Sequence, residues 1–103
     1  MDCIFCKIID RELPGKIVFE DDKIFAFYDI IPKAPVHILI IPKQHIPSAA
    51  DITSENCEII AYLFSKIPII AKEAGLDSFR IVINNGEDAG QTVNHLHFHL
   101  LGQ

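Results

Sequence analysis

The sequence lacks the features that define several large classes of protein. Only 9 Lys and Arg residues stand against 14 Asp and Glu residues, so the basic patch of a nucleic-acid-binding protein is missing. No apolar run is long enough to span a bilayer, since the longest, residues 36–41, is interrupted by His37. No basic region precedes a hydrophobic stretch at the N-terminus, as a secretory signal requires. We therefore expect neither nucleic acid nor a membrane as a partner.

Cysteine is also scarce. Three cysteines in 103 residues are typical of reduced thiols and not of a disulfide framework, which predicts a cytoplasmic protein. Half of the residues are apolar, so the chain can bury a core, and its length predicts one compact domain over residues 1–103. The net charge of −5 leaves room for a small anionic ligand, because such a ligand needs only a local site.

The hydrophobic patterns predict an α+β domain built on an antiparallel sheet of about five strands. A short helix is expected within residues 3–10, and one long helix after the candidate cap Thr53, ending near Gly75. Pro68 should kink that helix or split it in two. Loops are expected at residues 31–35 and 84–91, and strands at residues 16–20, 23–29, 36–41, 79–83 and 93–101.

The most informative pattern lies near the C-terminus, where the chain reads His95-Leu96-His97-Phe98-His99-Leu100-Leu101. Strict alternation is typical of a half-buried β-strand, whose successive side chains point to opposite faces. The pattern therefore places three histidines on one face and the apolar residues on the other. A row of imidazoles can supply a nucleophile, a base, an acid or a metal ligand near neutral pH. The alternative is a solvated polar strand face without a function.

A single metal ion does not explain the whole row. Because an extended residue rises about 3.3 Å, His95 and His99 lie about 13 Å apart along a strand, whereas zinc–nitrogen bonds are only about 2.0–2.1 Å long. A second interpretation is covalent catalysis, in which a central imidazole attacks phosphorus and a flanking histidine protonates the leaving group. The loop at 84–92 leads directly into the histidines and offers amides and a hydroxyl to a phosphate.

Together with several other segments, this pattern resembles the histidine triad superfamily, and within it the Hint branch. The resemblance covers almost the whole chain and includes Cys3-Ile4-Phe5-Cys6-Lys7-Ile8-Ile9, Phe19-Glu20-Asp21-Asp22, Asp29-Ile30, Pro35-Val36-His37, Ile41-Pro42-Lys43-Gln44-His45, Gly90-Gln91-Thr92 and the histidine run. It implies a HIT-like fold and hydrolysis of purine nucleoside phosphoramidates, or related purine nucleotide conjugates, to a nucleoside monophosphate. It also implies a symmetric homodimer, for which the long helix and the strand at 79–83 are candidate surfaces.

Carried over by position, the resemblance assigns His97 as the nucleophile that forms a nucleotidyl-imidazole intermediate. His99 would contact the phosphate and assist the leaving group, and His37 would support both from the neighbouring strand. A histidine instead of a glutamine at position 99 favours hydrolysis over nucleotidyl transfer. The nucleotide would be bound at its phosphate by Asn84, Gly90, Gln91 and Thr92, at its ribose by Asp29 and Ile30, and at its base by Phe5, Ile8 and Phe27. For the three base-pocket residues, simple core packing is the alternative.

A second site is indicated at the N-terminus, where Cys3 and Cys6 are three residues apart. On one helical turn both sulfurs can meet a single metal, although a chance pair is the alternative. The resemblance implies that His45 and His95 complete a Cys2His2 set for a structural zinc. Such a closed site has no open position for substrate, so the chemistry itself requires no cofactor.

Two other functions remain open at this point. One is a dinucleoside polyphosphate hydrolase, although residues 3–9 and the sequence around Asp29 point away from it. The other is a zinc-stabilised nucleotide-binding or regulatory module with little turnover. Many Hint-type proteins continue into a tail that shapes the leaving-group pocket, whereas this sequence reaches four residues past His99. The substrate preference of those proteins therefore need not apply.

Overall fold

The computed structural model describes residues 3–103, which form two α-helices and five β-strands. In chain order the elements are α1 (Ile4–Ile9), β1 (Ile17–Glu20), β2 (Ile24–Tyr28), β3 (Val36–Pro42), α2 (Glu58–Glu73), β4 (Phe79–Val82) and β5 (Phe98–Gly102). The strands make one antiparallel sheet in the order β1-β2-β3-β5-β4. The predicted α+β fold, with one long helix and a short N-terminal helix, is confirmed.

The turn between β1 and β2 is organised by Asp21. Its Oδ1 accepts the backbone N–H groups of Lys23 and Ile24, at 2.8 and 2.9 Å, which is the bonding that favours aspartate in turns. Its Oδ2 accepts the hydroxyl of Tyr62 on α2. The hairpin is thereby fixed to the long helix, which covers one face of the sheet.

Both faces of the central strands are covered, because alternate residues pack into two separate layers. The layer toward α2 contains Ile24, Ala26, Ile38, Ile40, Leu63, Ile67, Ile70, Leu96, Phe98 and Leu100. The layer toward α1 contains Cys3, Phe5, Phe25, Phe27, Leu39 and Ile41. Leu39 pairs with His99 across β3 and β5, and paired residues share a face, so His99 lies on the α1 side.

The last strand begins later than the alternation predicts. β5 starts at Phe98 and not at residue 93, so His95 and His97 precede the regular ladder. The reason is a competing partner: the Leu96 N–H donates to Ile46 O at 2.6 Å, away from the strands on either side of β5. The predicted separation of faces nevertheless holds, since Leu96, Phe98 and Leu100 all pack on the α2 side.

The long helix also differs from the prediction at its start and at Pro68. It begins at Glu58 and not directly after Thr53. Thr53 instead belongs to a separate turn, in which its backbone N–H donates to Asn56 Oδ1 at 2.7 Å. Pro68 does not split the helix, which runs on to Glu73. Pro68 is exposed, so water can serve the carbonyl that loses its partner. The helix ends two residues before Gly75, whose φ of 76° is the left-handed conformation typical of a glycine just past a helix end, close to the predicted end.

Smaller differences concern the remaining strand ends. The first, second and fourth strands are shorter than expected by one residue at one or both ends, while β3 extends through Pro42, which pairs with Ile24. Neither helix of residues 3–103 has the length and hydropathy needed to cross a membrane.

Candidate active site and metal cluster

A cavity of about 460 Å³ lies between α1, the end of β2 and the start of β5. Eight of the residues predicted to bind or react with a nucleotide line it: Phe5, Ile8, Phe27, Asp29, Ile30, Thr92, His97 and His99. Among the described residues, the rest of the lining consists of seven that the sequence did not single out for this role: Ile4, Leu13, Pro14, Gly15, Tyr28, Leu39 and Val93. The walls are mainly apolar, and the two histidines, Asp29, Tyr28 and Thr92 supply the polar groups.

The apolar end of the cavity is built by α1 and β2. The Phe5 ring packs edge-on against Phe27, with centroids 5.5 Å apart, and against His97, with centroids 5.1 Å apart. The turn after α1 comes so close that a Cβ on Gly15 would lie 2.9 Å from Ile8 Cγ2. The sequence predicted only a turn at Leu13-Pro14-Gly15. Its place shortly after the predicted helix that carries Ile8, a residue expected to bind the base, was the one sequence signal that it borders the cavity.

His97 presents a lone pair on Nε2. Its Nδ1 lies 2.7 Å from the backbone oxygen of His95, and a carbonyl can only accept, so the ring proton sits on Nδ1. His97 is buried, and burial lowers its pKa; the hydrogen bond to His95 opposes that shift. A neutral imidazole with a free Nε2 is therefore present at neutral pH, the form that a nucleophile requires.

His99 has the opposite arrangement. The Lys33 backbone N–H donates to His37 Nδ1 at 3.0 Å, which leaves the proton of neutral His37 on Nε2. This nitrogen lies 2.8 Å from His99 Nδ1, which must then accept, so His99 carries its proton on Nε2. Within residues 3–103 that Nε2 is buried without a hydrogen-bond partner. Burial, with His97 and His37 nearby, lowers the pKa of His99 to about 4.

Asp29 lies beside this pair at the end of β2. Its Oδ1 accepts the Ile31 N–H at 2.9 Å, and its Oδ2 is 3.5 Å from His37 Nε2. Asp29, His37 and His99 thus have the composition of a metal site. The protons argue against that use, because coordination through His37 Nε2 would require a proton on the nitrogen that already accepts from Lys33. Ile30 stands at the mouth of the cavity, 90% exposed.

The loop predicted to bind phosphate contributes one residue, Thr92, to the cavity lining. Gln91 is buried and its amide is fully engaged within the protein: Nε2 donates to Pro47 O and Val93 O, at 2.8 and 3.0 Å, and Oε1 accepts from Gly86 N, at 2.9 Å. Asn84 lies against Gly90, since a Cβ built there would be 3.6 Å from the Asn84 amide nitrogen. Asn84, Gly90 and Gln91 therefore lie outside the lining, and His37 adjoins it through His99.

The four predicted metal ligands form one cluster. The two sulfurs and two Nδ1 atoms of Cys3, Cys6, His45 and His95 all lie within 4.8 Å of one another. His95 Nδ1 is 3.1 Å from His45 Nδ1 and 3.3 Å from Cys3 Sγ, and the sulfur of Cys6 is 3.4 Å from His45 Nδ1. Tetrahedral zinc with ordinary bond lengths has ligand–ligand distances of about 3.3–3.8 Å. The donor set and its spacing therefore fit a zinc ion.

The surroundings of this cluster also suit a metal. His95 Nε2 donates to Pro42 O at 2.8 Å, which directs the lone pair of Nδ1 toward the sulfurs. The Cys6 N–H points at Cys3 Sγ, at 3.2 Å. Burial and the neighbouring Cys3 raise the pKa of the Cys6 thiol to about 11, so a metal must displace its proton. The histidine row is thus divided between two sites, with His95 in the cluster and His97 and His99 in the cavity.

This fold, with two adjacent histidines in a cavity and a third in a Cys-Cys-His-His cluster, is that of a histidine triad protein. Residues 10–103 match the HIT domain, and the chain belongs to that family. A HIT-like protein of Synechocystis sp. is 50% identical over an alignment of 102 positions that covers 98% of this chain and 90% of that protein. The 14 kDa zinc-binding protein of Zea mays is 47% identical over an alignment of 102 positions that covers 96% of this chain and 80% of that protein.

Solved structures agree with this assignment. A HIT family hydrolase from Clostridium thermocellum superposes with a TM-score of 0.96 at 46% identity, and the match covers 99% of this chain and 90% of that one. The expected superfamily is therefore confirmed.

Proposed function

We propose that the protein is a nucleotide hydrolase that cleaves purine nucleoside phosphoramidates, or related nucleotide conjugates, to a nucleoside monophosphate. The observation that carries this proposal is the pairing of His97 with His99. Their ring centroids are 5.1 Å apart in one cavity, where His97 offers a lone pair and His99 offers an N–H. A nucleophile beside a proton donor is the arrangement that displacement at phosphorus needs.

The reaction would proceed in two displacements. His97 Nε2 attacks phosphorus, and the bond to the leaving atom breaks while His99 Nε2–H donates a hydrogen bond to that atom. Because His99 is neutral and keeps its N–H, the leaving group takes its proton from solvent. Water then attacks the phosphorus of the nucleotidyl-His97 intermediate, the phosphorus–Nε2 bond breaks, and one proton of the water returns to solvent. The nucleoside monophosphate leaves with His97 restored. His95 O stabilises the Nδ1–H of His97, which becomes more acidic once Nε2 carries phosphorus.

The cavity suggests how the rest of the substrate would bind. The base would lie between Phe5, Ile8 and Phe27, and Asp29 Oδ2 would accept from a ribose hydroxyl beside Ile30. The phosphate would reach His99 Nε2 and the Thr92 hydroxyl. Asn84, Gly90 and Gln91 would act by holding the loop that carries Thr92, as the internal bonds of Gln91 support.

The charge of the cavity favours phosphoramidates over dinucleoside polyphosphates. Among the described residues that line it, none is Lys or Arg, and Asp29 adds a carboxylate. A polyphosphate chain carries several negative charges and binds best to cationic partners such as Arg. A phosphoramidate at a single phosphorus needs only the neutral donors that His99 and Thr92 provide.

Zinc would have a structural role in this enzyme. Cys3, Cys6, His45 and His95 supply four ligands, the number of a closed site, so zinc would hold α1 against the segment that precedes β5. The displacement at phosphorus uses no group from this cluster other than the His95 carbonyl.

We further propose that residues 1–103 act as one HIT domain within a homodimer. β4 is an edge strand of the sheet, and Phe79 and Ile81 on it are 37% and 38% exposed. An exposed apolar edge is a natural pairing surface for a second copy about a two-fold axis. Light scattering that gives a monomer at micromolar concentration would contradict this part of the proposal.

The function is tested with adenosine 5′-phosphoramidate and a set of dinucleoside polyphosphates. We expect release of adenosine monophosphate from the phosphoramidate, its loss in His97→Gln, and no change in the control Asn94→Ala, an exposed neighbour on the same segment. Mass spectrometry of rapidly quenched enzyme should find one nucleotide on the peptide with His97. Equal turnover by wild type and His97→Gln would reject the mechanism. Turnover of dinucleotides alone would favour the polyphosphate hydrolase, and binding without turnover would favour a regulatory module.

A further inference from the structure

The loop between β2 and β3 brings a backbone amide to the edge of the active site. Lys33 stands between Pro32 and Pro35, and its side chain is exposed. Prolines restrict both their own backbone and that of the preceding residue, so this loop has few conformations available. The Lys33 N–H donates to His37 Nδ1 at 3.0 Å. The contact is made by the backbone, and the ammonium group of Lys33 takes no part in it.

This contact determines where protons lie on two imidazoles. A backbone N–H can only donate, so His37 Nδ1 must keep a lone pair, which excludes both the other neutral tautomer and the imidazolium. The remaining proton on His37 Nε2 lies between two acceptors, His99 Nδ1 at 2.8 Å and Asp29 Oδ2 at 3.5 Å. The shorter contact goes to His99. Burial of His37 lowers its pKa and therefore favours the same neutral form.

The direction of these hydrogen bonds determines whether His99 presents an N–H or a lone pair to the substrate. With the amide in place, Lys33 donates to His37, His37 donates to His99, and His99 keeps an Nε2–H that it can donate to the substrate. Without the amide, His37 can hold its proton on Nδ1, and the His37–His99 bond can reverse. His99 would then present a lone pair on Nε2, beside the lone pair of His97 and facing an anionic phosphate. Such a site repels its substrate's charge and cannot donate a hydrogen bond to a leaving group.

We propose that the backbone amide of Lys33 is a positioning group of this enzyme, which acts through His37 to make His99 present an N–H to the phosphate and leaving group. Its catalytic meaning rests on the proposed hydrolase function, but the proton arrangement does not. The two can therefore fail separately.

The backbone N–H of residue 33 can be removed by a single substitution, and two other substitutions serve as controls. Lys33→Pro deletes the N–H, Lys33→Ala keeps it and deletes the ammonium, and Ala34→Pro adds a proline to the same loop while leaving the Lys33 amide intact. Nitrogen NMR of protein with labelled histidine reports which ring nitrogens carry protons, with assignments from His37→Gln and His99→Gln. Couplings across N–H···N hydrogen bonds report the Lys33–His37 and His37–His99 contacts directly in the wild-type protein.

In wild type and in both controls we expect Nε2–H on His37 and His99, with couplings across both hydrogen bonds. In Lys33→Pro we expect a second His99 tautomer and a fall in kcat for the phosphoramidate of about 10²-fold, the typical effect of losing a preorganised donor, with a much smaller change in KM. A wild-type His99 protonated on Nδ1, or a missing Lys33–His37 coupling, overturns the proposal even if Lys33→Pro does not fold. Unchanged tautomers in a folded Lys33→Pro overturn it as well. Expected tautomers in a protein that hydrolyses no phosphoramidate would reject the function and leave the amide's role intact.

Discussion

The backbone oxygen of His95 accepts the Nδ1–H of His97 at 2.7 Å, while the His95 ring belongs to the cysteine–histidine cluster. One residue thus takes part in both sites, with its side chain in the cluster and its carbonyl orienting the proposed nucleophile. The position of the proposed nucleophile and the cluster that holds the N-terminal segment therefore both depend on the placement of His95.

Replacing a cysteine of the cluster should reduce stability far more than chemistry. For Cys6→Ser we expect the free energy of unfolding to fall by at least about 2 kcal/mol, as is usual when a structural metal site is lost. Activity at saturating substrate, measured below the new melting temperature, should change little. Cys57→Ser is the matched control, because Cys57 is exposed and outside the cluster. Elemental analysis that finds no zinc in protein purified without added metal would contradict the structural zinc.

Gln91 should act as a brace for the loop before the histidines. In Gln91→Ala the carbonyls of Pro47 and Val93 and the N–H of Gly86 lose their partner. Leaving such groups unsatisfied costs about 1–3 kcal/mol, which urea unfolding will measure. We also expect KM for the phosphoramidate to rise, since Thr92 follows directly. Gln44→Ala, at an exposed glutamine, is the control, and equal stability of the two variants would show that the loop does not depend on Gln91.

Which side chains face the helix layer could be predicted from the sequence, and which backbone groups pair could not. Alternation correctly placed Leu96, Phe98 and Leu100 opposite the histidines, because side-chain direction depends on local geometry alone. The start of β5 depends instead on the bond from Leu96 to Ile46, a contact between distant parts of the chain. No periodic pattern reports such a partner.

The same distinction applies to the site. The residue types of the histidine row and the two cysteines indicated two kinds of chemistry, and the family resemblance gave all four residues of the cluster. The protons on His97 and His99 were not predictable, because they depend on a carbonyl that any residue would supply and on an amide that any residue except proline would supply. The contribution of Leu13-Pro14-Gly15 to the cavity was missed for a similar reason, since it follows from how that turn packs on α1.

The histidines should make stability depend on pH in a defined window. Burial lowers the pKa of His99 from its ordinary value of 6.5 to about 4 and also lowers the pKa of His37. Between these two pH values the unfolded chain binds more protons than the folded one, so the free energy of unfolding falls as pH is lowered from 6.5 toward 4. Above pH 6.5 the slope from these groups fades, because the histidines of the unfolded chain lose their protons as well.

Urea unfolding across this range measures the effect, and histidine Cε1–H shifts locate each titration. His99→Gln should flatten part of the acid slope, because it removes one of the titrating groups. A midpoint for His99 at or above 6.5 would mean that the folded protein does not disfavour its charged form, contrary to its burial. Activity should likewise persist below pH 6.5, since the neutral form of His97 is the reactive one and its pKa is also lowered.

Gly15 should control the width of the base-binding end of the cavity. In Gly15→Ala the added methyl would lie 2.9 Å from Ile8 Cγ2, so Ile8, which lines the cavity beside Phe5, must shift. We expect KM for the phosphoramidate to rise several-fold with kcat nearly unchanged, because the added methyl comes within 4 Å of Ile8 and of neither reacting histidine. Steady-state kinetics of a double-mutant cycle with Ile8→Ala provides the check. If the methyl acts through Ile8, Gly15→Ala should have little effect in the Ile8→Ala background, and an undiminished effect there would place the cause elsewhere in the turn.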